Sequence, residues 1–73
     1  MQKIKRLPIG TIVTTKLDCR EVYNNYLVLP KRYIIKAYKK VYDEYCVQIN
    51  LLDFQDTETG VYYLVPADKI YQI

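Results

Sequence analysis

Lysine and tyrosine alternate along Lys36, Tyr38, Lys40 and Tyr42, and on a regular strand that spacing puts all four side chains on one face. Such a row can do two kinds of binding chemistry. Ammonium groups can hold phosphates while bases stack on the rings, which is how small barrels take up single-stranded nucleic acid. The same side chains can anchor a protein partner, because tyrosine and arginine are favoured at interface hot spots. A plainer reading needs no partner, since Tyr has high β propensity and Lys protects a strand edge from aggregation. For nucleic acid the basic set is Lys3, Lys5, Arg6, Lys31, Arg32, Lys36, Lys39 and Lys40. A second candidate surface is the loop containing Cys19, Arg20, Glu21, Tyr23, Asn24, Asn25 and Tyr26, where Tyr and Asn suit adaptable recognition and Tyr23 and Tyr26 would touch a protein partner. Its alternative is a loop laid over one barrel mouth, plugged by Tyr23 or Tyr26.

The residue types that are missing argue against catalysis. The chain has no His and no Ser, so the commonest general base and the commonest nucleophile are both absent. Two isolated cysteines without histidine make a poor zinc site, and no Gly-rich loop could cradle a phosphate. Asp43 and Glu44 adjoin, but neighbouring strand residues face opposite ways, and Asp53, Asp56 and Glu58 read as turn solvation. At 73 residues the chain buries only about 60% of its unfolded surface, so an interior substrate pocket is not expected. The expectation is a non-enzyme with no cofactor and no small-molecule substrate.

Charge is unevenly spread. Residues 1–40 have ten basic side chains against two acidic ones, and residues 41–73 have one against six. That asymmetry favours an acidic partner, protein or nucleic acid, although a mixed solvated surface explains it equally well. No stretch reaches the roughly 18 apolar residues of a membrane span, and Pro8 and Gly10 follow the basic start where an export signal would place an apolar run. A cytoplasmic protein is expected, with Cys19 and Cys46 as two buried thiols, a disulfide between them being the alternative.

The elements that would position these residues centre on Tyr33 to Phe54, read as two strands reversing at Asp43-Glu44. Within it, apolar residues at 34, 35, 38, 41, 42 and 45 match a helical stripe better than strict alternation. Strand is preferred over helix because those positions hold Ile, Tyr and Val and neither end has a cap. On a regular strand Tyr33, Ile35, Ala37 and Val41 would share the face opposite the Lys/Tyr row. Before this hairpin, residues 1–7 form a basic arm, Leu7-Pro8-Ile9-Gly10 a turn, Thr11 to Leu17 a strand and Leu27 to Leu29 a short extended patch. After it, Val47, Ile49 and Leu51 point inward, residues 55–60 turn at Gly60, Val61 to Val65 form a strand, Pro66 to Lys69 a tight helical turn and Ile70 to Ile73 a last strand.

This order resembles the layout of SH3-like small barrels, with Gly60 to Ile73 similar to the closing segment. The opening Leu7-Pro8-Ile9-Gly10-Thr11-Ile12-Val13 resembles the first strand of small SH3-like proteins of unknown function from Gram-positive bacteria and their phages or plasmids. The resemblance implies an all-β SH3-like barrel of about five antiparallel strands, spanning 8–73, with one short 3-10 turn near Pro66. Polyproline recognition is not implied, because the chain has no Trp and residues 18–26 lack the acidic, paired-tyrosine pattern of peptide-binding SH3 loops. The function expected is a small binding module, a phage or mobile-element accessory or inhibitor that docks on a protein, with direct nucleic-acid binding as the alternative. Oligomeric state is left open.

Overall fold

Glu44 to Leu51, the strand richest in alternating apolar residues, lies between two partners in a computed structural model that describes residues 6–52 and 61–73. The strands are β1 (Ile12–Thr15), β2 (Tyr33–Val41), β3 (Glu44–Leu51), β4 (Tyr62–Pro66) and β5 (Ile70–Gln72), and a 3-10 turn, Ala67–Lys69, separates the last two. The protein is all-β: the five strands make one antiparallel sheet in the order β4-β3-β2-β1-β5. The helical turn after Pro66 falls where the sequence puts it. Residues 1–5 and 53–60, and with them the expected turn at Gly60 and the acidic Asp53, Asp56 and Glu58, lie outside the described residues.

Two turns show how local chemistry sets the path. At Pro8 to Thr11 the Thr11 N–H donates to the Pro8 carbonyl (3.1 Å), and Gly10 adopts φ +94°, as the third residue of a type II turn requires. An alanine there would be strained by about 1 kcal/mol. The β2–β3 hairpin reverses one residue earlier than expected, at Tyr42-Asp43, with φ of 50° and 63°. Both residues are left-handed, as in a two-residue type I′ turn; Asp tolerates this and Tyr does so poorly.

β2 is a strand, and its helix-like periodicity has a structural cause. Ile35 pairs with Ile49 but Ala37 pairs with Gln48, so one extra residue enters β2 at Lys36 as a β-bulge. Positions 35 and 38, three apart, thereby come to one face, and 34, 37, 39 and 41 to the other. The single alternating face expected for Lys36, Tyr38 and Lys40 therefore does not form, nor does the face expected to unite Ile35 with Ala37 and Val41.

The sheet buries side chains on both faces. The first holds the main core, Val13, Tyr33, Ile35, Val47, Ile49 and Val65, joined by Cys19 and Val28 from the loop between β1 and β2. The Thr15 hydroxyl anchors the same loop at the Val28 and Leu29 carbonyls (3.3 and 3.2 Å), and the Tyr33 hydroxyl donates to Leu29 (2.5 Å). The second face holds a smaller cluster of Val41, Cys46 and Leu64, on which Val22 packs. Cys19 and Cys46 are thus free thiols in separate clusters, which removes the disulfide alternative. Burial drives both thiols above their ordinary value, Cys19 to about 11.

Candidate functional site

On the first face the expected binding residues are occupied by their own chain. Tyr38 is half-buried, stacks on Tyr45 at 5.3 Å between ring centres, and donates its hydroxyl to the Leu7 carbonyl (2.7 Å). The Arg6 guanidinium lies over both rings, 4.8 Å from Tyr38 and 5.8 Å from Tyr45. Leu7 packs against the main core. Tyr38 therefore fastens the segment that precedes the first turn. Lys36 sits exposed at the bulge, Lys40 is exposed at the end of β2 opposite Tyr45, and Lys31 and Arg32 are exposed just before β2. Lys3 and Lys5 lie outside the described residues.

On the second face the residues of the loop and of the strands come together. The segment from Arg20 to Leu27 is a small hairpin closed by a bridge between its ends, by Glu21 N–H to Tyr26 C=O (2.9 Å) and by Asn25 N–H to Glu21 C=O (2.8 Å). Its tip is set by the Asn24 N–H donating to Glu21 Oε1 (2.6 Å), by Arg20 donating to the Asn25 carbonyl (2.9 Å) and by Asn25 at φ 60°, a value Asn tolerates. The Val22 N–H then donates to the Leu64 carbonyl (2.8 Å), stitching the hairpin to the outer edge of β4. Val22 is brought in by the apolar second cluster, and the polar residues on either side of it are left facing the sheet.

Between hairpin and sheet lies a surface recess of about 300 Å³, lined by Glu21, Tyr23, Asn24 and Tyr26 from the loop and by Lys39, Gln48, Tyr62 and Leu64 from the strands. The strand residues meet because the register pairs Gln48 with Leu64 and Asn50 with Tyr62, and because the bulge turns Lys39 to this face. Tyr42, 82% exposed on the hairpin turn, meets Tyr23 edge to face at 6.5 Å. Tyr26 contacts Tyr63 at 5.9 Å, and Tyr63 contacts the buried Tyr33 at 6.0 Å, so the wall of the recess is braced by the main core. Desolvation first, and the nearby Glu21 carboxylate second, hold the Tyr26 phenol above its ordinary value.

Tyr23 and Tyr26 are 59% and 45% exposed, so neither plugs the fold; Cys19 and Val28 are the loop residues that close the core. Of the residues singled out in the sequence, the structure gathers Tyr23, Tyr26, Glu21, Asn24 and Lys39 at the recess, with Tyr42 at its rim. It places Tyr38 and Lys40 on the opposite face. Gln48, Tyr62 and Leu64 were not among the expected site residues. The outward direction of Gln48 was legible from alternation along β3, and Tyr62 points away from Tyr63 for the same reason. What alternation does not carry is that a loop some forty positions away in sequence covers that face. Among the described residues no group of three or more His, Cys, Asp or Glu side chains comes together. Comparison with protein-family models, with curated proteins and with solved structures gives no match.

Proposed function

We propose that the protein is a small binding module that docks on a protein partner through the tyrosine-lined recess. The observation that carries this reading is the gathering of four exposed tyrosines, Tyr23, Tyr26, Tyr42 and Tyr62, around one recess built on a hydrogen-bonded scaffold. Tyrosine supplies large contact area at low entropic cost, and a preformed hairpin reduces the ordering that binding would otherwise require. No acid-base or nucleophilic pair is used in this role; the module is non-enzymatic and works by occupancy. A cytoplasmic accessory or inhibitor role in a phage or mobile element belongs to this reading on the SH3-like resemblance of the sequence alone; the antiparallel sheet and the 3-10 turn between β4 and β5 supply the all-β scaffold for it. The test is capture of a cross-linked partner from cells expressing the tagged protein, compared with a Tyr23→Ala/Tyr62→Ala variant of unchanged thermal midpoint. A partner retained by the wild type and lost by the variant is the expected result; equal retention would sink the reading.

A second reading is direct nucleic-acid binding, favoured by the exposed Lys31, Lys36, Lys39 and Lys40 along and before β2. It lacks base stacking on Tyr38, which Arg6 and Tyr45 already cover. It predicts affinity for single strands that collapses between about 50 and 200 mM salt. Absence of binding at the lower salt removes it.

A further inference from the structure

We infer that the recess takes a cationic side chain of the partner, an arginine or lysine, with Glu21 as its counter-ion and Tyr23, Tyr26 and Tyr62 as its walls. The inference rests on the docking reading above and specifies the chemistry of what enters.

Glu21 carries the argument. Its residue is only 7% exposed, yet it lines the recess. One oxygen, Oε1, accepts the Asn24 N–H that shapes the hairpin. Among the described residues no lysine or arginine forms an ion pair with Glu21, and its second oxygen accepts no hydrogen bond. A carboxylate held in place by its own hairpin, with spare acceptor capacity on an oxygen that opens into a space of about 300 Å³, is a site for a positive donor.

The walls agree with that assignment. Tyr23, Tyr26 and Tyr62 line the same space, and phenol rings attract a cation through their electron-rich faces. A guanidinium suits the combination best, since it donates to a carboxylate while its flat surface stacks on rings. Lys39, exposed on the β2 side of the recess, is the one lining residue that opposes a cation. It makes no ion pair with Glu21, so the two charges stand apart and the recess keeps an acidic side and a basic side. The basic side repels a bare cation and is relieved when the incoming segment brings its own carbonyl or carboxylate. Lys39 therefore gives the inference a signed test that a purely structural role would not reproduce.

The experiment is titration of the isotope-labelled protein with N-acetyl-arginine amide, and with N-acetyl-citrulline amide as its neutral isostere, followed by backbone amide shifts. Saturating shifts at Glu21, Tyr23, Tyr26 and Tyr62 with the arginine probe, and weaker ones with citrulline, are expected. Glu21→Gln keeps an oxygen for the Asn24 N–H and removes only the charge, so it should weaken the arginine probe about tenfold or more without moving the thermal midpoint. Lys39→Gln should tighten it. An equal response to citrulline, no saturating shift, or an affinity unchanged by Glu21→Gln overturns the assignment. If the probe fails while partner capture still depends on Tyr23 and Tyr62, the cationic occupant falls and docking stands. If capture ignores both tyrosines, the docking reading itself falls.

Discussion

The two faces of the β2–β3 hairpin use the same residue types to opposite ends. On the first, Tyr38, Tyr45 and Arg6 satisfy one another: ring lies on ring, the guanidinium covers both, and the Tyr38 hydroxyl has a carbonyl partner. On the second, Tyr23, Tyr26, Tyr62, Lys39 and Glu21 surround open space. The difference is a matter of coverage. The segment through Arg6 and Leu7 lies directly on the first face, whereas the Arg20 to Leu27 hairpin is held over the second by Val22 and leaves a gap beside it. Tyrosine with a cation nearby is thus no signature of a site until one knows whether the rings already have partners.

The strongest way to break that contrast is to truncate one tyrosine on each face. Tyr38→Ala removes the stack, the cation contact and the bond to Leu7, and should cost about 3 kcal/mol, read as a fall in the denaturant midpoint. Tyr62→Ala, at a position 59% exposed, should change stability by less than about 0.5 kcal/mol while reducing partner capture. Comparable losses from the two would mean that the second face is packed as tightly as the first. Because Tyr38 holds the fold together here, its alanine variant cannot serve as a clean probe of binding.

Tyr42 sharpens the comparison with a smaller effect of opposite sign. It is left-handed and almost fully exposed, and its ring meets that of Tyr23. A left-handed L-residue costs roughly 1–2 kcal/mol, and Asn tolerates that conformation better than Tyr. Tyr42→Asn should therefore raise the thermal midpoint by a few degrees, since about 1 kcal/mol moves a domain of this size by 4–8 °C. Partner affinity should fall at the same time, because the rim loses a ring. A midpoint that drops instead would show that the contact with Tyr23 outweighs the backbone strain.

The strand content was legible because it rests on local composition: β-branched and aromatic runs, alternation along β3, and the Pro66 turn. The faces of β2 were not. One inserted residue at Lys36 turned a strand's period of two into a spacing of three, which imitates a helix and exchanges the sides of every later side chain. Tyr23 and Tyr26 could be named from the loop's composition, but their joining with Lys39, Gln48 and Tyr62 follows from Val22 docking beside Leu64. That is a non-local contact, and a hydrophobic valine inside a polar loop was its only trace in the sequence.

The smallest expected effect lies where the loop leaves β1. There the Lys16 N–H donates to the Lys69 carbonyl (2.8 Å), and the Lys69 ammonium bonds Asp18 Oδ2 (2.7 Å), tying the loop to the 3-10 turn away from the recess. That hydrogen bond holds the Asp18 carboxyl below its ordinary value of 3.8 and raises Lys69. A carboxylate with a depressed folded pKa contributes stability that is fully present above its unfolded pKa and disappears as pH falls through the folded one. Asp18 is solvated, so the contribution is small and shrinks further with salt. Asp18→Asn should slightly flatten the loss of stability below pH 3.8 at low salt and leave neutral-pH stability nearly unchanged. The amides near Lys69 should move with Asp18 in an acid titration of the wild type, and removal of this step in the variant should leave the amides of Tyr23 and Tyr62 where they were. Coupled movement at the recess would mean that the loop's anchor and its binding hairpin act as one unit.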